Sequence, residues 1–211
     1  MTQAQTGMSL EEAIHSRHSV RKYEKGHVIP QEVLDEILTL GAAAPSSWNL
    51  QHWRFLVVTK QEIKDRLLPI AFNQQQVADS SATIIILGDL EANKSAEAVF
   101  GPAVEAGYMS QEAYDTLLGN INGAYAGDPQ IPMDEANRNG SLAAMQLMLA
   151  AKSKGYDTCP MGGFDRVQIM KELNIPDRYT PVMMLTLGKA AEPAHATGRF
   201  PLDQIVIKET F

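Results

Sequence analysis

Arg17, His18, Ser19 and Arg21 place two guanidinium groups, an imidazole and a hydroxyl within five residues, at a point where a helix is expected to end. Arginine supplies a planar pair of donors that suits phosphate, and serine adds a short donor beside it. The same basic residues would equally complement the dipole at a helix C-terminus. A second polar group, Pro45, Ser46, Ser47, Asn49 and Gln51, falls between a helix and an apolar run that reads as a buried strand. Loops at strand ends are common ligand sites. Asn and Gln each offer a donor and an acceptor, as the edge of a heterocycle demands, although such a turn also satisfies its own backbone. The third group, Pro160, Met161, Gly162 and Gly163, lies between Cys159 and Asp165. Paired glycines let a backbone N–H approach a flat ligand, and Asp165 is suited to cap the helix that follows.

Other chemistries are poorly served. Cys159 is the only cysteine, which excludes an internal disulfide and a multi-cysteine zinc site and fits a reducing compartment. His15, His18, His27, His52 and His195 show no His-x-x-x-His spacing, so no metal is expected. No Gly-x-Ser-x-Gly elbow supports a serine hydrolase built on Ser46 or Ser47 with His52. A lone cysteine before proline reads as packing rather than as a nucleophile.

The elements that must position these groups follow from apolar spacing. Ser9 with Glu12 has capping-box spacing and opens a helix over residues 10–17, which delivers Arg17 to its end. Pro30 opens a second helix, fading over residues 41–45. Residues 53–59 and 83–87 read as strands, with a helix at 62–68 between them. Residues 91–118 have helical composition, broken by Gly101-Pro102 and weakened by Gly107 into two or three short helices. Residues 123–132 read as a loop and 134–154 as a helix. Between residues 142 and 151 only Gln146 is polar, so that helix must be buried on most sides, centrally or against a second subunit. A helix at 167–173, a strand at 182–187 and an edge strand at 205–207 complete the expectation.

The chain has 211 residues, 45% of them apolar, with 18 basic against 25 acidic side chains and a net charge of −7. That length and composition suit one domain with its own core, residues 1–8 being flexible and 91–132 a helical excursion. The acidic balance argues against a nucleic-acid partner. No apolar run approaches a membrane span and the N-terminus lacks a signal pattern, so a cytoplasmic address is expected.

Taken in order, Arg-x-Ser-x-Arg, Pro-Ser-x-x-Asn-x-Gln-x-Trp, Pro-x-Gly-Gly-Phe-Asp and a late Gly-Arg-x-Pro resemble the FMN-dependent nitroreductase family over most of the chain. The resemblance implies an α+β fold in which a central, mostly antiparallel sheet is wrapped by helices, forming an intertwined homodimer with FMN at the interface. It implies that Arg17, His18 and Ser19 bind phosphate and ribityl oxygens and that Arg199 is a second phosphate clamp. Arg21 is similar to a basic residue facing the polar edge of the ring, where it favours the reduced flavin. The 45–51 loop would come from the partner, with Ser47 and Asn49 as polar contacts, while Asn73 would meet the ring edge and Gln76 would stand where some members keep a lysine. Pro160 and Met161 would line the ring, and the backbone N–H of Gly162 or Gly163 would address flavin N5, with no side-chain base. The implied reaction is ping-pong: NADH or NADPH reduces FMN, and a small nitroaromatic, quinone or related acceptor is then reduced. A same-fold reductase for an enone and a non-catalytic FMN binder are the alternatives. His18, His52 and Thr197 depart from the family pattern, which has arginine, proline and a basic residue there, and Lys189 is a candidate to restore positive charge.

Overall fold

A computed structural model describes residues 7–211. The expected flexibility of residues 1–8 falls mostly on residues 1–6, outside the described residues. Helix α1 (Leu10–Ser16) starts at a complete capping box: Ser9 Oγ accepts from the Glu12 N–H, and Glu12 Oε2 accepts from the Ser9 N–H at 2.7 Å. Then follow α2 (Gln31–Ala42), a single 3₁₀ turn (Ser47–Asn49), β1 (Trp53–Val58), α3 (Gln61–Ile70), α4 (Gln76–Asp79) and β2 (Ala82–Asp89). A second 3₁₀ turn (Ala92–Ser95) leads into α5 (Ala96–Glu105), α6 (Gln111–Gly127) and the 23-residue α7 (Ile131–Ser153). The chain closes with β3 (Asp157–Met161), α8 (Arg166–Glu172), β4 (Tyr179–Gly188) and α9 (Leu202–Ile205).

The four strands form one antiparallel sheet in the order β1-β2-β4-β3. Side-chain alternation sorts the central strands onto two cores. Ile84 and Ile86 of β2 and Leu185 and Leu187 of β4 pack with α2 and α7, including Ile37, Ala144 and Leu147. Ile85 and Met184 pack on the opposite face with Leu67 and Ile70 of α3 and Ile169 of α8. Helix α7 sits close against its face of the sheet at two glycines. A Cβ on Gly88 would lie 2.6 Å from Ala136 Cβ, and one on Gly140 would lie 3.1 Å from Val182 Cγ2. No helix among the described residues is long and apolar enough to cross a membrane.

Several sequence expectations are corrected. The loop expected over residues 123–132 shrinks to 128–130: α6 runs through Gly123 to Gly127, and Pro132 sits in the first turn of α7, where its missing N–H costs no helical bond. Gly101-Pro102 does not break a helix either. Both lie inside α5, and the interruption comes at Gly107, whose φ is +74°. Residues 205–207 form no strand, since α9 ends at Ile205. The strand β3 was hidden by its own proline, which an edge strand tolerates because one side of it needs no donor.

Candidate cofactor site at the free edge of the sheet

Immediately after α1 the chain runs extended beside β3. Ser19 bridges to Thr158 in parallel sense, and the Val20 N–H donates to the Thr158 carbonyl at 3.1 Å. Extended geometry alternates side chains. Ser19, Arg17 and Arg21 act on the Cys159 side, while His18 and Val20 line a cavity of about 500 Å³ with Lys152, Asp157 and Thr197. Burial pushes the Cys159 thiol up, against the pull of Arg21, the Ser19 hydrogen bond and Arg17, so this sulfur stays protonated and is no nucleophile.

The cations here are unspent. Among the described residues Arg17, Arg21 and Arg199 have no carboxylate partner, although the chain carries an acidic excess. Arg21 donates only a long bond to the Ser19 carbonyl, 3.5 Å, and Arg199 donates to Thr197 Oγ1 and the Gly198 carbonyl. His18 Nδ1 is buried with no partner among the described residues. Thr197 brings the segment carrying Arg199 alongside His18. Lys189 does not join this group: its ammonium donates to the Gly155 carbonyl and lies 4.2 Å above the Tyr156 ring.

A second surface is built at the other end of β3. Asp165 caps α8 through the Val167 and Gln168 N–H groups, and its own N–H donates to the Ile70 carbonyl, which docks the 162–165 turn on the end of α3. Gln74, which sequence reasoning passed over, donates to the Gly163 carbonyl at 2.7 Å and ties that turn to the Phe72 and Asn73 corner. Phe72 and Asn73 both have left-handed backbone, φ 54° and 57°. Gly162 is exposed, and a Cβ there would meet nothing within 4 Å, so neither packing nor conformation requires a glycine at that position. Two of the expected cofactor residues turn inward within this chain. The Met161 side chain is core, 4% exposed, and Gln76, 6% exposed, packs beneath it with Nε2 3.7 Å from Sδ. Pro160 stays half-buried and Asn73 exposed.

The 45–51 loop is equally constrained, yet elsewhere. Trp48, Asn49 and Gln51 have φ of 50°, 52° and 50°. Non-glycine residues hold this conformation only where surroundings impose it, and such strain gathers at functional sites. Ser46 Oγ accepts from the Gln51 N–H at 3.0 Å, closing the loop on itself. The Ser47 N–H donates to Asn139 Oδ1 of α7 at 2.9 Å, and Asn139 Nδ2 donates to Glu135 Oε2 at 2.8 Å. Burial raises the Glu135 carboxyl, but the Ser47 and Asn139 hydrogen bonds, Arg138 and His52 outweigh it and hold it below its ordinary value. At the loop's other end, buried His52 shares a 2.9 Å hydrogen bond with Tyr125 of α6. Glu135 and Asn139, two polar residues one helical turn apart on a buried face, were the available signal for this anchor.

The loop and the His18 cavity meet α7 at separate points. Asn139 holds the loop and Lys152 lines the His18 cavity, thirteen residues further on, a rise of about 20 Å. Between them the outer face of α7 is a groove of about 580 Å³, lined by Leu142, Met145 and Leu149 with Met8 and Leu10, several of them exposed.

Over residues 14–189 the chain matches the model described as the nitroreductase family. The chain belongs to this family. Among its relatives, YodC of Bacillus subtilis, named for NAD(P)H nitroreductase activity, is 49% identical over 92% of this chain and 96% of its own. The CLA biosynthesis enone reductase of Lactiplantibacillus plantarum is 34% identical over 89% of each. A nitroreductase-named protein of Exiguobacterium sibiricum, solved in complex with FMN, superposes with a TM-score of 0.88 at 39% identity, covering 97% of this chain and 99% of that one. The α+β nitroreductase fold expected from the motifs is therefore the observed one. Thr197, next to the late Gly-Arg motif, lines the same cavity as His18 of the early Arg-x-Ser-x-Arg motif, whereas Ser47 of the Pro-Ser loop is held by Asn139 of α7.

Proposed function

We propose that this chain is a cytoplasmic, homodimeric, FMN-dependent NAD(P)H oxidoreductase acting on small electron-poor acceptors, nitroaromatics and quinones foremost, with one FMN-binding domain spanning it. The observation that carries the reading is that, among the described residues, Arg17 and Arg21 beside β3 and Arg199 of the late Gly-Arg motif have no carboxylate partner in an acidic chain. The donor set fits the cofactor: Arg17 and Arg199 suit a phosphate, Ser19 and the orphaned His18 Nδ1 suit its ester and ribityl oxygens, and the open backbone at Gly162 suits a flat ring. YodC and the FMN-bound homologue support the same assignment.

When bound, FMN supplies the two-electron transfer between nicotinamide and acceptor. The chain's own contribution is binding, orientation and field. Arg17 and Arg199 hold the phosphate end. Arg21, on the extended segment beside β3, would bring positive charge toward the ring's polar edge and so favour reduction of the bound flavin. The N–H of Gly162 or Gly163 would be the donor to the ring's reactive edge, and Asn73 would add a side-chain amide there. Ser47 and Asn49 approach from a second copy: within one chain Asn139, which holds Ser47, and Lys152, beside the His18 cavity, stand about 20 Å apart along α7. Packing of two copies through the apolar α7 groove closes that gap and covers Leu142 and Met145.

The test is direct. Purified protein titrated with FMN should show a saturable shift of the flavin band, and should oxidise NADH or NADPH with a nitroarene, a quinone or an enone as acceptor. A protein that leaves the flavin spectrum unchanged refutes the cofactor assignment. FMN binding without turnover on any acceptor refutes the enzyme and leaves a carrier. The 34% identical enone reductase is the reason for the third acceptor.

A further inference from the structure

Helices α5 and α6 attach thinly to the rest of the chain. Their Phe100, Leu117 and Ile121 pack on Trp48 and Leu50 of the 45–51 loop, in a cluster separate from both sheet cores. Asn122 of α6 accepts from Asn93 of the 92–95 turn at 2.9 Å, but among the described residues one side-chain hydrogen bond joins α6 to the His52 end of the loop, the 2.9 Å bond between the Tyr125 hydroxyl and His52 Nε2. His52 is fully buried and directly follows left-handed Gln51. Its main chain is fixed, since its carbonyl accepts from the Asp89 N–H at 2.6 Å. Its Nδ1 has no partner among the described residues, so Tyr125 is the one group there that orients the ring. Glu135 of α7, Asp89 of β2 and Arg54 of β1 surround the imidazole without bonding it. Desolvation pushes the Tyr125 hydroxyl up and the His52 imidazole down, so both are neutral at physiological pH. Within an apolar contact a single satisfied polar pair sets geometry more sharply than packing does.

We propose that Tyr125 is a positioning residue for the 45–51 loop, acting through His52, and that their hydrogen bond locks α6 and the loop into one wall of the acceptor site. The inference rests on the functional reading above, in which that loop faces the cofactor of a second copy. Asn139 anchors the loop at Ser47, and Tyr125 with His52 anchors its far end. With the second anchor gone, the left-handed residues Trp48, Asn49 and Gln51 lose the constraint that holds them. The wall then yields most to acceptors large enough to press on it.

The experiment compares the holoenzyme with Tyr125→Phe, which removes only the hydroxyl, with His52→Leu, which removes the bond, and with His52→Gln, whose amide nitrogen reaches the Nε2 position. Leu118→Ala loosens the same cluster without touching the bond. KM and kcat are measured for 1,4-benzoquinone and the larger 1,4-naphthoquinone. In parallel, acrylamide quenching of Trp48 is followed in a Trp53→Phe background, which leaves one tryptophan. Tyr125→Phe and His52→Leu should raise KM for naphthoquinone about fivefold more than for benzoquinone, the worth of one neutral hydrogen bond, with kcat little changed and Trp48 more accessible. His52→Gln should behave as the parent. Equal KM changes for both quinones, an unchanged Trp48, or the same pattern in Leu118→Ala at matched stability overturns the proposal. The quenching comparison holds in protein without flavin, so a failure to bind FMN refutes the functional reading and still leaves the anchor under test.

Discussion

Replacing Asn139 by alanine probes the other anchor of the loop, and its cost follows from the bonds it breaks. Asn139 is buried, 1% exposed, and holds three partners: it accepts from the Ser47 N–H at 2.9 Å and donates to the Glu135 carbonyl at 2.7 Å and to Glu135 Oε2 at 2.8 Å. A neutral hydrogen bond contributes about 1 kcal/mol, one to a carboxylate about 1.5–3 kcal/mol. Water admitted to the cavity restores part of this, so Asn139→Ala should destabilise by about 3 kcal/mol, or about 6–12 °C in Tm for a chain of this size. Glu135 responds as well. Its carboxyl titrates below its ordinary value in the folded chain, so it contributes stability above that value and loses it as pH falls through the lowered one. Without Asn139 one of the hydrogen bonds opposing burial is gone, and the acid limb of the stability profile should move to higher pH. Urea unfolding at fixed protein concentration, from pH 4 to pH 8, measures both effects. A loss under about 1 kcal/mol at pH 7 with an unmoved acid limb would refute the network as the anchor of Ser47.

Arg17→Ala or Arg199→Ala should weaken FMN binding by about 1.5–3 kcal/mol, the worth of a hydrogen bond to a charged group, and equal flavin titrations for mutant and parent would remove the phosphate role. Arg21→Ala should lower the flavin midpoint potential while binding changes less, and a potential equal to the parent's contradicts the field argument. Gly88→Ala should destabilise by about 1–3 kcal/mol, because its Cβ would stand 2.6 Å from that of Ala136; a chain of unchanged Tm shows that α7 can lift off the sheet. His52 is held neutral by burial, so its folded pKa lies below its ordinary value and stability should fall as pH drops below about 6.5. His52→Gln should flatten that part of the profile, and a profile with the parent's slope assigns the titration to another group.

Much of the frame was legible where one local signal had no competitor. Ser9 with Glu12, Asp165 before α8 and the β-branched runs of β1, β2 and β4 all formed as their spacing dictates. Local signals misled where tertiary packing or position reversed their meaning. Pro160 reads as a breaker but occupies an edge strand, and Pro132 reads as loop but begins α7. The arginine group was visible as a cluster, because alternation over five residues needs no knowledge of the fold. The anchors of the 45–51 loop were not. Ser47 meets Asn139 and His52 meets Tyr125 across 92 and 73 residues, separations that no spacing rule connects. The inward turn of Met161 was hidden for a related reason, since only the observed strand register shows which way its side chain faces.

The length of α7 has a genetic consequence. If each site takes its arginines from one chain and its Pro-Ser loop from another, damage to the two motifs segregates. Two inactive chains, one carrying Arg17→Ala and the other a broken 45–51 loop, would form mixed dimers in which one site inherits both defects and the other inherits neither. Two silent alleles would then complement each other when expressed together, and dissociation of the dimer would erase the recovered activity.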